Sequence, residues 1–125
     1  MFAVFIVCHL VGDFLLQTDW QATNKPGGLG GDSLARRALT AHALTYTLAF
    51  APVVVWLALD RGAWALLVAP AIAVPHIIQD DGRLVRAYTR KVKGCDAESL
   101  PTVIAAVDQS FHMLALLAVA LIAGR

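Results

Sequence analysis

Four histidines and three of the aspartates in this 125-residue chain fall into a pattern that chemistry can use. His9 and Asp13 are four residues apart, as are His76 and Asp80. Asp108 and His112 repeat the spacing in reverse order, and His42 is followed one turn later by Tyr46. An i,i+4 pair shares one face of an α-helix. Mixed imidazole and carboxylate ligands suit zinc, manganese or iron, whereas thiolate-selective metals call for cysteine. Seven candidate ligands exceed the four of one tetrahedral zinc and are enough for two ions.

In this reading His9, Asp13, His76, Asp80, Asp108 and His112 are metal ligands, with His42 a further ligand or a catalytic general base. Gln17, Tyr46, Gln79 and Gln109 adjoin them and would orient the ligands. One such pair alone is more often a buried hydrogen-bonded pair that fixes helix register. Three pairs plus His42 point to a metal or proton site, and a proton relay uses the same residue types.

The elements that must position these residues are apolar. The chain is 58% hydrophobic and only 15% charged, with a mean hydropathy of +0.67. A soluble domain sits near half apolar and a quarter charged, so a membrane protein is expected. The net charge of +1 leaves no nucleic-acid footprint. Cys8 and Cys95 lack zinc-ribbon or redox spacing and suggest no disulfide framework. Spans are expected at about 2–17, 36–59, 63–80 and 101–123, giving a single all-α domain, an integral membrane four-helix bundle. His9 and Asp13, with no basic residue before them, argue for a span rather than a leader peptide.

The connections are legible too. Pro26 to Gly31 is a flexible glycine loop, with Asp32 or Ser33 available to cap the next helix. Asp60-Arg61-Gly62 is a tight turn. Residues 82–93 form a basic amphipathic segment, with Leu84, Val85, Tyr88 and Val92 at helical spacing and Gly94 as its stop.

The first and third loops hold Lys25, Arg36, Arg37, Arg83, Arg86, Arg90, Lys91 and Lys93, against Arg61 and Arg125 on the other side. The positive-inside rule therefore places both termini outside the cytoplasm, in a multi-pass protein of the plasma (inner) membrane. Measured inward from the cytoplasmic ends, Asp13, His42, His76 and Asp108 lie at ~8–10 Å, Asp80 at ~5 Å and His9 at ~13 Å. His112, at ~16 Å, joins the layer if the fourth helix begins above the membrane surface. Arg36, Arg37 and Arg83 sit near the mouth, where they would bind an anionic substrate group.

The strings His9-Leu-Val-Gly-Asp13-Phe-Leu-Leu-Gln17 and Asp108-Gln109-Ser-Phe-His112, with His42 between them, resemble a family of small bacterial and phage membrane proteins of unknown function. The resemblance covers nearly the whole chain. More distantly, the layout is similar to that of predicted membrane-bound metal-dependent hydrolases. Members of the uncharacterised family often have a second histidine where this chain has Tyr46.

These observations lead to a metal-dependent hydrolase acting at the cytoplasmic leaflet on a lipid-linked or phosphorylated substrate, with the lipid bilayer as its partner. A small cation or proton transporter component is the second reading. Transport with four short helices would call for a homo-oligomer. A non-catalytic membrane partner, locked together by its polar layer, is the third.

Overall fold

A computed structural model describes residues 1–94 and 100–124, so Cys95 and Arg125 lie outside the described residues. Those residues are mostly helical, with no strand among them. Helix α1 (Phe2–Leu10) widens into a π turn over Val11–Leu15, which buries both Gly12 and Asp13. A short helix, α2 (Asp19–Asn24), starts at Thr18 with a reciprocal capping box: the Gln21 amide donates to Thr18 Oγ1, and the Thr18 amide donates to Gln21 Oε1. After the glycine loop, Asp32 caps α3 (Ser33–Ala49) by accepting from the Leu34 amide at 2.8 Å.

The expected second span is not one straight helix. It breaks at Phe50 and resumes as α4 (Ala51–Arg61), bent by 49° from α3. Pro52 explains the break. Proline has no N–H and its ring clashes with the carbonyl four residues back, yet it is well tolerated in a helix's first turn. After the turn at Gly62, a 3-10 stretch (Ala63–Leu67) leads into α5 (Val68–Asp80), which runs on through Pro75.

Gly82 separates α5 from α6 (Arg83–Tyr88) with φ of +75°, where a side chain would be strained. A second π turn (Thr89–Lys93) then ends at Gly94, as expected. The last helix, α7 (Pro101–Ala123), is the longest.

Helix α1 packs on α3 and α7, α3 packs on α5, and α5 packs on α7. The first and third loops meet at one end: the Gly27 amide donates to the Asp81 carbonyl at 2.9 Å and the Leu29 amide to Asp81 Oδ1 at 2.8 Å. At the other end, Arg61 Nη1 donates to the Ala123 carbonyl at 2.6 Å. Between the ends lies an apolar core that includes Phe5, Phe50, Leu57, Ile72 and Leu116, with Tyr46 at its border with the polar layer.

Two helical stretches are long and apolar enough to cross a membrane, Ala63–Asp80 and Pro101–Ala123. The bent pair α3–α4 makes a third if it is one span, and Phe2–Leu15 is apolar but shorter.

Candidate metal centre

Helices α3, α5 and α7 and the π turn after α1 each send ligating side chains to one buried point. His42, His76 and His112 are each no more than 2% exposed, and Asp13 and Asp80 are buried beside them. Three groups among the described residues have ligating atoms within 4.8 Å of one another: Asp13–His76–His112, His42–His76–Asp80 and Asp80–Asp108–His112. They overlap at His76, Asp80 and His112, so six of the seven expected residues form one cluster.

The closest approach centres on His42. Its Nε2 lies 2.9 Å from Asp80 Oδ2, 3.2 Å from Asp13 Oδ1 and 3.0 Å from His76 Nε2. His76 Nε2 is in turn 3.1 Å from Asp80 Oδ2 and 3.8 Å from Asp13 Oδ1. One imidazole N–H donates one good hydrogen bond, so it cannot satisfy three neighbours at once. Accordingly Asp13 Oδ1 has no hydrogen-bond partner despite its near neighbours; Nε2 of His112 and the Nδ1 atoms of His42 and His76, on the far side of their rings, also lack one. Ligand atoms around one tetrahedral zinc, at ~2.0–2.1 Å from the metal, are about 3.3–3.4 Å apart. The five separations here bracket that spacing.

Asp80 is the pivot of the cluster. While Oδ2 faces His42 and His76, Oδ1 is 3.6 Å from His112 Nε2. The opposite ring nitrogen, Nδ1 of His112, donates to the Asp108 carbonyl at 2.9 Å. A ring held in this way by a backbone carbonyl is the usual support of a histidine ligand. Although His112 is eleven residues into α7, it reaches the same layer as Asp80, so the first turns of α7 extend beyond the layer.

His9 behaves differently from its expected ligand role. Nε2 is 3.0 Å from Gln109 Oε1, an acceptor, and Nδ1 is 3.1 Å from the Tyr46 hydroxyl. A neutral ring donates to the first and accepts from the second, which satisfies both nitrogens. No metal-competent group among the described residues includes His9. Its partner Tyr46 lies flat on His76, with ring centroids 3.4 Å apart and planes 4° apart. His9 therefore positions Tyr46, and through it His76.

Gly12 completes that stack. A Cβ there would come within 2.6 Å of Tyr46 Cδ2, so the glycine between His9 and Asp13 serves close helix packing. Of the expected orienting residues, Gln17 Oε1 accepts from Lys25 Nζ at 2.6 Å and Gln79 Nε2 donates to the Phe111 carbonyl at 3.1 Å.

The cations are arranged differently from the sequence expectation. Arg36 Nη2 donates to the Gly30 carbonyl at 2.9 Å. Arg83 pairs with Asp81 at 3.1 Å and reaches the Gly27 carbonyl. Both thus hold the glycine loop, and Arg37 lies on α3 beside Thr40, Ala41 and Leu44. The cation that touches the cluster is Lys25, whose Nζ is 2.9 Å from Asp80 Oδ2. Nothing in the sequence signals this role, because Lys25 stands in an aperiodic loop.

The family model described as "Protein of unknown function (DUF3307)" matches residues 1–124, and the chain belongs to that family. No curated protein and no solved structure matches it.

Proposed function

We propose that the chain is a four-span protein of the plasma (inner) membrane whose His–Asp cluster binds one or two divalent transition-metal ions, and that it hydrolyses a lipid-linked or phosphorylated substrate at the cytoplasmic leaflet. The observation that carries the metal reading is the crowding at His42 Nε2, where two carboxylate oxygens and a second imidazole converge within 3.2 Å. Lys25 offsets one of the two carboxylates, and the second, crowded against two imidazoles, is costly to bury without a further cation. Asp13, His42, His76, Asp80, Asp108 and His112 would hold the metal. A bound zinc, manganese or iron ion supplies Lewis acidity and brings a coordinated water's pKa toward ~7.

The membrane reading is supported by the outward faces. Only 33% of the apolar window in Ala63–Asp80 and 22% of that in Pro101–Ala123 is buried. Leu67, Val74, Leu114, Leu121 and Ile122 are exposed on these segments, an array fitted to lipid. Trp56 and Trp64, also exposed, flank the turn at one end, and Trp20 sits on α2 near the other, as in an interfacial aromatic belt. In this arrangement Phe2–Leu15, α1 with its π turn, is a short first span.

A groove of about 510 Å³ along the α3–α5 seam, lined by Leu39, Leu44, Pro70 and Ile77 with Arg36 at its rim, favours a lipid-linked substrate. The transporter reading is weakened by the apolar core around Phe50 and Leu57, which offers a proton or cation no polar relay past Tyr46.

Metal analysis of detergent-purified protein tests the proposal. One or two ions per chain, with chelator-sensitive phosphate release from a lipid-linked phosphate restored by the same metal, is the expected result. Metal-free protein whose melting temperature is unchanged by zinc, manganese and iron overturns it.

A further inference from the structure

A cavity of about 220 Å³ opens beside the cluster, between the start of the glycine loop, the α5–α6 turn and the first turns of α7. Asp80 and Asp108 line it, and so do Lys25, Arg86 and Gln79. Asp108 is the most exposed carboxylate of the ligand set, its side chain 27% accessible against 3% for Asp80. The cavity therefore reaches the Asp80–Asp108–His112 group from the loop end, the side away from the apolar core.

Its charge pattern names the ligand. Lys25 and Arg86 offset the two aspartates, so a divalent ion on Asp80, Asp108 and His112 leaves a net positive wall. Arg86 is exposed, and its one side-chain hydrogen bond among the described residues is long, 3.5 Å from Nη2 to the Asp81 carbonyl. Its guanidinium is thus available as a planar fork for an oxyanion. Gln79 is 93% buried, with an Oε1 that has no hydrogen-bond partner, and it would accept from a hydroxyl or a water brought in with the ligand. The volume equals roughly seven waters at ~30 Å³ each, enough for a phosphoryl group but not for the rest of a large substrate.

We propose that this cavity is a phosphoryl subsite, in which Lys25 and Arg86 hold a phosphate group against the Asp80–Asp108–His112 side of the cluster while the remainder of the substrate stays outside. The proposal rests on the metal reading above and specifies its substrate class. It also assigns phosphate recognition to Lys25 and Arg86 in place of Arg36, Arg37 and Arg83.

The test uses the full chain in neutral-lipid nanodiscs, titrated first with manganese and then with inorganic phosphate, both followed by calorimetry and by the manganese electron spin resonance signal. Phosphate should perturb the signal of bound manganese. Arg86→Gln should weaken phosphate binding at least tenfold with manganese binding unchanged. Arg90→Gln, which removes the same charge from the neighbouring turn, should leave both unchanged. Lys25→Gln should weaken phosphate binding as well, and because Lys25 Nζ touches Asp80 Oδ2 its manganese affinity should change too, so Arg86→Gln alone separates the two ligands.

Equal phosphate affinity in wild type and Arg86→Gln, with manganese bound, overturns the subsite and leaves the metal reading standing. An equal loss in Arg90→Gln also overturns it, since bulk charge would then be the cause. Failure of the wild type to bind manganese, zinc and iron alike overturns both readings, and if only zinc or iron binds, the phosphate titration is run by calorimetry with that metal. Given the Arg86 effect, competition from phosphatidic acid in the nanodisc assigns the phosphate to a lipid headgroup, and its absence assigns it to a soluble phosphate compound.

Discussion

His112 Nε2 stands 3.6 Å from Asp80 Oδ1, and the ring's Nδ1 is 2.9 Å from the Asp108 carbonyl oxygen. A carbonyl only accepts, so Nδ1 carries a proton, and Nε2 is the ring nitrogen turned toward the carboxylate. A neutral ring would set two buried acceptors face to face there, as metal ligands stand, and the other oxygen of Asp80 meets two more imidazoles. A carboxylate shared in this way can bridge two ions.

Asp80→Asn should therefore reduce metal content per chain at least tenfold. Asp108→Asn should leave the ion held by His42 and His76. Adding His112→Ala to Asp80→Asn should cost little more, because the ligands act as a unit. Elemental analysis of the three purified variants checks this, and additive losses would contradict a shared carboxylate.

His9→Ala should separate stability from metal binding. The substitution leaves the Tyr46 hydroxyl and the Gln109 amide without their buried partner, at a cost of about 1–3 kcal/mol. The six-residue cluster keeps all its members, so metal stoichiometry should hold while the melting temperature falls. Loss of metal in proportion to that of Asp80→Asn would return His9 to the ligand set.

Gly12→Ala should act through Tyr46. The added methyl meets the tyrosine ring at 2.6 Å, and overpacking of this kind costs roughly 1–3 kcal/mol. Because Tyr46 is stacked on His76, metal affinity should fall as well. The second-site change Tyr46→Ala removes the obstructing ring, so the double variant should lose less than the sum of the two single losses in thermal melts. Strict additivity would show that the clash is relieved elsewhere.

Much of the cluster was legible because its pairs obey helix geometry. Spacing of four put Asp13, His76, Asp80, Asp108 and His112 on helix faces, and the common depth suggested that the faces meet. What spacing could not show was which contacts cross between helices. His9 is satisfied by Tyr46 and Gln109, which are 37 and 100 residues away, so its exclusion from the ligand groups is a tertiary fact. Lys25 reaches Asp80 from 55 residues away, beside Gln17, a contact no periodicity encodes. Pro52 was visible, but its effect depends on whether the chain continues α3 or starts a new helix, and it starts one. Val85 is buried and Leu84 and Val92 are exposed. The basic segment 82–93 is thus helical with one face against the bundle, and its contact with headgroups is an expectation.

Orientation is a separate prediction. The loops that carry Lys25, Arg36, Arg37, Arg83 and Arg86 meet at one end, and Arg61 lies at the other. Tags on both termini should be cleaved by protease added to intact cells with the outer membrane permeabilised. Spin labels at Leu84 and Val92 should report headgroup depth. Protected tags would reverse the topology, and freely tumbling labels would detach the segment from the membrane.

The glycine loop offers the last test, because Asp81 alone ties three of its bonds. The Asp81 carbonyl accepts from the Gly27 amide, Oδ1 from the Leu29 amide, and Oδ2 pairs with Arg83, which also reaches back to the Gly27 carbonyl. Asp81→Ala removes the two side-chain bonds and keeps the backbone one. The Leu29 amide then loses its only hydrogen bond among the described residues, so its hydrogen exchange should accelerate at least tenfold. Exchange at His42 and His76, inside helices, should be unchanged. Lys25 starts this loop and is held separately by Gln17 and Asp80, so metal content should persist in the variant. If the loop covers the phosphoryl cavity, phosphate should bind and dissociate faster with little change in affinity. Exchange at Leu29 equal to that of wild type would show that the backbone bond at Gly27 suffices to hold the loop.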